Sequence, residues 1–259
     1  MTSVDFSDYL DFTLPHNRFI FDDIYVVTSP QDGNSVLAAK HNEVKYIVTD
    51  AFGSQFNKGA AINEGLKVLR EEGEEWVLIT DADIFWPPKL KDYIPGLEFN
   101  SLYGFYRRVL QKEDLGIFGK ENEYHGLLEG IDGLYLGGDY KQFATMKDLA
   151  QIIPIDARSH LQKMEPFFKI EDPEVFKAMG WNSNVESTLE DPLPLGYGQL
   201  FNCQVHGDKN YPENFETAAG CDSYFSSLWA QDFRKFILKI STLHLGPRMV
   251  HWEGRKVLE

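Results

Sequence analysis

Cysteine is scarce: Cys203 and Cys221 are the only two in 259 residues. A disulfide framework is therefore not expected, and the chain fits a reducing, cytoplasmic setting. No apolar run approaches the roughly 20 residues that cross a bilayer, so no membrane span is expected. The opening Met1-Thr2-Ser3-Val4-Asp5 has neither the basic nor the apolar region of a secretory signal. Positive charge is also thin, with 25 Lys and Arg against 40 Asp and Glu and a net charge of −15. Such a surface does not draw nucleic acid or anionic lipid from a distance, although a local basic groove remains compatible with it. Internal repeats, low-complexity tracts and long linkers are absent. The length suits one large domain or two tightly joined lobes.

What is present begins with an alternation of strand and helix signals. Ile24 to Val27 is a short apolar run that stops at the polar turn Thr28-Ser29-Pro30-Gln31-Asp32-Gly33. Val44 to Val48 repeats the pattern and stops at Thr49-Asp50, with a short helix expected between them over Ser35 to His41. Asn57-Lys58-Gly59 leads into Ala60 to Glu72, where Ala61, Leu66 and Leu69 recur at helical spacing and Gly73 closes the helix. Trp76 to Thr80 reads as a third strand. This order predicts a mostly parallel central sheet flanked by helices, an α/β fold in which ligands bind at the carboxyl ends of the strands. Thr28, Asp50 and Asp81 all fall at those ends.

Further along, Ser101 to Val109 reads as a strand, residues 110 to 135 as loops and hairpins, 172 to 179 as a short helix and 182 to 194 as a loop. Leu195 to Asn202 reads as a strand opened by Gly196 and Gly198. Asp222 to Lys239 shows helical periodicity through Phe225, Leu228, Trp229, Phe233 and Phe236. The chain closes on Leu243-His244-Leu245-Gly246-Pro247 and a basic tail, Arg248 to Lys256.

The chemistry centres on Asp81-Ala82-Asp83. Side chains at i and i+2 of an extended segment point the same way, so the third strand delivers two carboxylates to the sheet's rim. Close carboxylates repel, and a divalent cation is their natural partner. That favours metal-assisted chemistry on a phosphate-bearing substrate over a merely solvated strand end. The order Asn57-Lys58-Gly59-Ala60-Ala61-Ile62-Asn63-Glu64-Gly65-Leu66, apolar strand, Asp-Ala-Asp resembles the nucleotide-sugar half of GT-A glycosyltransferases, family 2-like ones in particular. The likeness extends more thinly over most of the chain.

This resemblance implies a single GT-A-like (Rossmann-like) domain over residues 1–259. About 20–106 would bind the nucleotide sugar, about 107–240 would form a smaller acceptor-side β/loop region, and 241–259 would be a closing tail. It implies a metal-dependent hexosyl- or pentosyltransferase using a UDP-linked donor, with Mn²⁺ or Mg²⁺ held by Asp81, Asp83 and His244; a structural histidine is the other reading of His244. Gly196, Tyr197 and Gly198 look like the acceptor-side strand, or else a turn into a buried strand. Gly220-Cys221-Asp222 resembles a Gly-Glu-Asp segment, with Cys221 where Glu is usual. Asp222 would be the general base of an inverting reaction, or the cap of its helix. Thr28, Ser29 and Asp50 would contact the nucleoside, and Lys58, Arg248, Arg255 and Lys256 the diphosphate; turn, cap and solvated roles compete for each. Trp86, Tyr103, Phe105, Tyr106, Trp181, Tyr197, Trp229 and Trp252 offer core rings and one or two stacking faces.

The acceptor is open among a glycan, a small molecule, a protein side chain and a modified DNA base, the last implying a virus. Alternatives are a phosphatase of the haloacid dehalogenase type and a degenerate transferase serving as a binding module. A nucleotidyltransferase would need a glycine-rich phosphate loop that residues 24 to 40 lack.

Overall fold

Local signals set the first half of the computed structural model, which describes residues 1–109 except 55, and 193–245 except 216, 217 and 219. Tyr25–Thr28 (β1) and Lys45–Val48 (β2) are rich in β-branched and aromatic residues and pair in parallel, Tyr25 opposite Lys45. Between them lies Gly33–His41 (α2), capped by Asp32, whose carboxylate accepts from the Ser35 N–H at 3.0 Å. Lys58–Glu71 (α3) is capped by Asn57, which accepts from the Ala60 N–H. It ends at Gly73, whose φ of +83° suits a residue without a Cβ. α3 buries Ala61, Ile62, Gly65 and Leu66 on one stripe, and Gly65 lets the helix approach β1 so closely that a Cβ would lie 3.1 Å from Val27.

Trp76–Ile79 (β3) follows, then Ile84–Phe85 (β4), the short helix Leu90–Tyr93 (α4) and Leu102–Val109 (β5). After the intervening chain come Gln199–Asn202 (β6), Cys221–Ser227 (α5) and Arg234–His244 (β7). The fold is mixed α/β. β1 and β2 form one small sheet, and the other five strands run in the order β3-β6-β5-β7-β4.

The sheets are less parallel than the sequence predicts. β1/β2 and β5/β7 pair in parallel, whereas β3/β6, β5/β6 and β4/β7 are antiparallel. β6, running antiparallel between β3 and β5, makes two of the antiparallel pairs, and β4 against β7 makes the third. The parallel character survives on one side through Thr2, which makes parallel bridges to both Val27 and Asp81. β2, β1, the N-terminal segment and the end of β3 thus run the same way. No sequence signal announced that segment.

Two further departures stand out. The helix expected over Asp222 to Lys239 stops at Ser227; the chain turns extended at Ala230, and β7 begins at Arg234. Ile237 and Ile240 are buried, and β7 is flanked by β5 and β4, so sheet pairing overrides an accidental helical spacing. Second, the helix Ser7–Asn17 (α1) has no counterpart in the sequence pattern. Its polar residues reach across the chain. Thr13 donates to the Ala82 carbonyl at 2.7 Å, and Asn17 donates to Ile84 and accepts from the Trp86 N–H.

The core lies on both faces of β3, β6 and β5. On one face Leu66, Val77, Phe201, Phe225 and Trp229 pack together; on the other are Trp86, Tyr103, Phe105, Leu200 and Ile240. The alternation of Leu200 and Phe201 between faces is the strand period of two.

Candidate functional site

β3 ends where the sequence places the carboxylates, and the surrounding elements lock that end. The Thr80 hydroxyl donates to the Tyr197 carbonyl at 3.0 Å and accepts from the Trp86 indole N–H at 3.0 Å. α1 holds the backbone of residues 82–86 from below through Thr13, His16 and Asn17. β7 clamps it from the side, since Ile84 pairs with His244 and the Leu245 N–H donates to the Asp83 carbonyl at 2.9 Å.

That register puts the imidazole of His244 against Asp83, with Nε2 2.9 Å from Oδ2. Nε2–H donates to the carboxylate; Nδ1 is buried and has no partner among the described residues. Asp83 and His244 are therefore direct hydrogen-bond partners, although the sequence separates them by 161 positions.

Asp81 turns instead to Lys58. The ammonium of Lys58 lies 2.7 Å from Asp81 Oδ1 and 3.6 Å from Asp222 Oδ2, with its side chain only 9% exposed. Burial opposes the charge on Lys58, but Asp222 and Asp81 more than offset it and hold the ammonium above the ordinary lysine range. Burial also pushes the Asp222 carboxyl above its ordinary value; Lys58 pulls it back and Asp81 pushes it up again. Asp81, Asp83 and His244 do not close into a three-ligand cluster. Among the described residues the acidic group with ligand atoms within 4.8 Å of one another is Asp23, Glu72 and Glu74. Lys45 already lies 3.2 Å from both Asp23 and Glu72.

Asp222 is not the helix cap. Gly220, with φ +75°, takes that position without a side-chain bond, and Asp222 sits in the first turn of α5. Its carboxylate packs on Gly196, where a Cβ would lie 2.3 Å away. A Cβ on Gly198 would lie 2.8 Å from both Phe105 and Trp86. What approaches these glycines closely is thus the protein's own Asp222 and Trp86. Tyr197 is buried and donates its hydroxyl to the Phe105 carbonyl. The Cys221 thiol is held well above its ordinary pKa by burial and by Asp222, which makes it a poor nucleophile.

At the neighbouring strand ends, Thr28 is buried and donates to Asp32 at 3.2 Å, so its hydroxyl serves the α2 cap. Ser29 is buried too, and its hydroxyl meets no partner among the described residues. Asp50 opens a 3₁₀ turn that Thr49 caps, and it is exposed. Arg248, Arg255, Lys256 and Trp252 lie outside the described residues, as do Trp181, the 172–179 helix and nearly all of the 182–194 loop.

Sequence reasoning missed the props under this site. Thr13, His16 and Asn17 are spaced three and four apart or adjacent on one helix, but their partners lie about 70 positions downstream. A cavity of about 430 Å³ between β1, β3 and α3, lined by Tyr25, Leu66, Leu69, Trp76 and Leu78, does not include the rim carboxylates. No protein-family model matches the chain, and no curated protein matches it. No helix among the described residues is long and apolar enough to cross a membrane.

Proposed function

We propose that the chain is a glycosyltransferase that takes a sugar from a UDP-linked nucleoside diphosphate sugar and passes it to an acceptor. The observation that carries this reading is a convergence. Two side-chain groups flank the end of β3: Lys58, at the start of α3, with Asp81 and with Asp222 on α5, and Asp83 with His244 at the end of β7. Those residues come from four separate stretches of sequence, and each has a task in transfer from a diphosphate. A GT-A-like arrangement is part of the proposal; the parallel run of β2, β1, the Thr2 segment and β3, with α3 packed beside it, supports it.

In this reading Asp222 accepts the acceptor's proton. Its raised pKa makes it a stronger base than a surface aspartate, and Lys58 holds it ionised. Asp83 fixes the imidazole of His244 through Nε2 and leaves the Nδ1 lone pair for an ion, the arrangement by which a carboxylate orients a metal-binding histidine. The imidazole Nδ1 of His244 fits Mn²⁺ by its donor chemistry, with Asp83 orienting the ring rather than ligating the ion. When bound, the ion would offset charge on the departing diphosphate. The Ser29 hydroxyl at the end of β1, buried and without a partner among the described residues, would serve the nucleoside in this reading.

Calorimetric titration of UDP and a panel of UDP-sugars, with and without Mn²⁺, tests the reading. Binding that needs both the uridine diphosphate and the ion is expected. Hydrolysis of a phosphate monoester with Mg²⁺, and no uptake of UDP, would put the phosphatase alternative in its place.

A further inference from the structure

Lys58 enters the rim from one fixed direction. Asn57 caps its helix and donates to the Glu213 carbonyl at 2.7 Å. Gly59 lies so close to the chain beyond β6 that a Cβ would sit 2.4 Å from the Pro212 carbonyl oxygen. Asn63 both donates to the Tyr211 carbonyl and accepts from its N–H. The start of α3 is pinned, and with it the path of the Lys58 stem. Its ammonium then stands between two carboxylates from different parts of the chain. A divalent ion shared by Asp81 and Asp222 would need that same position. Without the ammonium, two partly buried like charges would be left uncompensated, an unfavourable arrangement.

We propose that Lys58 is the resident cation of this rim, filling the place between Asp81 and Asp222 and confining any divalent ion to the side of Asp83 and His244. The ligand that both cations would serve, a diphosphate, rests on the glycosyl-transfer reading; the exclusion of metal from the Asp81 side does not. Asp81 is then a partner of an ammonium, not of an ion, and Lys58 is a positioning residue for Asp222.

The test is a Mn²⁺ titration of the full chain, followed by the paramagnetic resonance signal of free Mn²⁺. The wild type and Asp81→Asn should bind Mn²⁺ alike, and His244→Ala should lose it. Lys58→Met, which keeps the length of the stem without its charge, should bind Mn²⁺ about tenfold tighter or gain a second ion. Adding Asp81→Asn should abolish that gain, and Lys58→Arg should resemble the wild type. Loss of Mn²⁺ in Asp81→Asn alone, or no gain in Lys58→Met, overturns the proposal. Should Lys58→Met be too unstable to titrate, its melting is decisive: a Mn²⁺-induced rise in Tm larger than that of the wild type supports the proposal, and indifference to Mn²⁺ overturns it. A wild type that ignores UDP while the Mn²⁺ pattern holds would remove the sugar-transfer reading and leave Lys58 as the resident cation.

Discussion

Acidification should weaken this fold through His16 in a way that one substitution isolates. His16 is fully buried, with Nε2 2.6 Å from the Trp86 carbonyl and its ring edge-on to Phe85. Burial lowers its pKa from 6.5 to about 4, with the bond to Trp86 opposing the shift. The unfolded chain takes up a proton near pH 6.5, whereas the folded chain resists until about pH 4. The contribution is therefore complete above pH 6.5, declines as the pH falls, and is gone below about 4. A shift of about 2.5 units, at about 1.36 kcal/mol per unit, gives roughly 3 kcal/mol. No discount for solvent screening applies to a side chain with no exposed surface. Urea unfolding at several pH values between 7.5 and 4, on the wild type and on His16→Gln, measures it. Glutamine can still donate to the Trp86 carbonyl but does not titrate in this range. The stability difference between the two proteins should move by roughly 3 kcal/mol in favour of the variant as the pH falls, or about 6–12 °C in Tm. A difference that stays constant across that range would refute the assignment of the burial cost to His16.

Other consequences are sharper at the rim. Gly196→Ala drives a Cβ into the Asp222 carboxylate and should cost about 1–3 kcal/mol in urea unfolding, whereas Gly33→Ala, with open space around it, should change stability by less than about 0.5 kcal/mol. Asn17→Ala leaves the Ile84 carbonyl and the Trp86 N–H without their partner, and should cost about 1–3 kcal/mol for each group, read in the same assay. Asp222→Asn should retain UDP binding in calorimetry while losing transfer; near-normal turnover would clear Asp222 of the base role.

Much of the stretch from β1 to β3 was legible because its signals are local. Asp32, Asn57 and Gly73 mark the ends of α2 and α3 within one turn of the residues they cap, and β1, β2 and β3 fall within a residue or two of their apolar runs. The place of Asp81 and Asp83 just after β3 was legible for the same reason, but not their division between Lys58 and His244, which are remote in sequence from them. The rest is set by distant partners. β7 looked helical because Phe225, Leu228, Trp229, Phe233 and Phe236 are spaced that way, and only pairing with β5 and β4 makes the second part of that run a strand. α1 has nothing in its own spacing to say that Thr13, His16 and Asn17 support residues 82–86. Lys58 was read as a phosphate contact; its position between Asp81 and Asp222 depends on α5, which is remote in sequence.

The site proposed at the end of β3 would bind UDP and Mn²⁺ together, and a thermal-shift titration of UDP in the presence of Mn²⁺ tests it most directly. At ligand concentrations about a hundredfold above Kd, the wild type should gain about 2.7 kcal/mol of stability. Asp83→Ala and His244→Ala should each lose the Mn²⁺-dependent part of that gain, since the two side chains act as one pair. A full Mn²⁺-dependent shift in either variant would contradict the account.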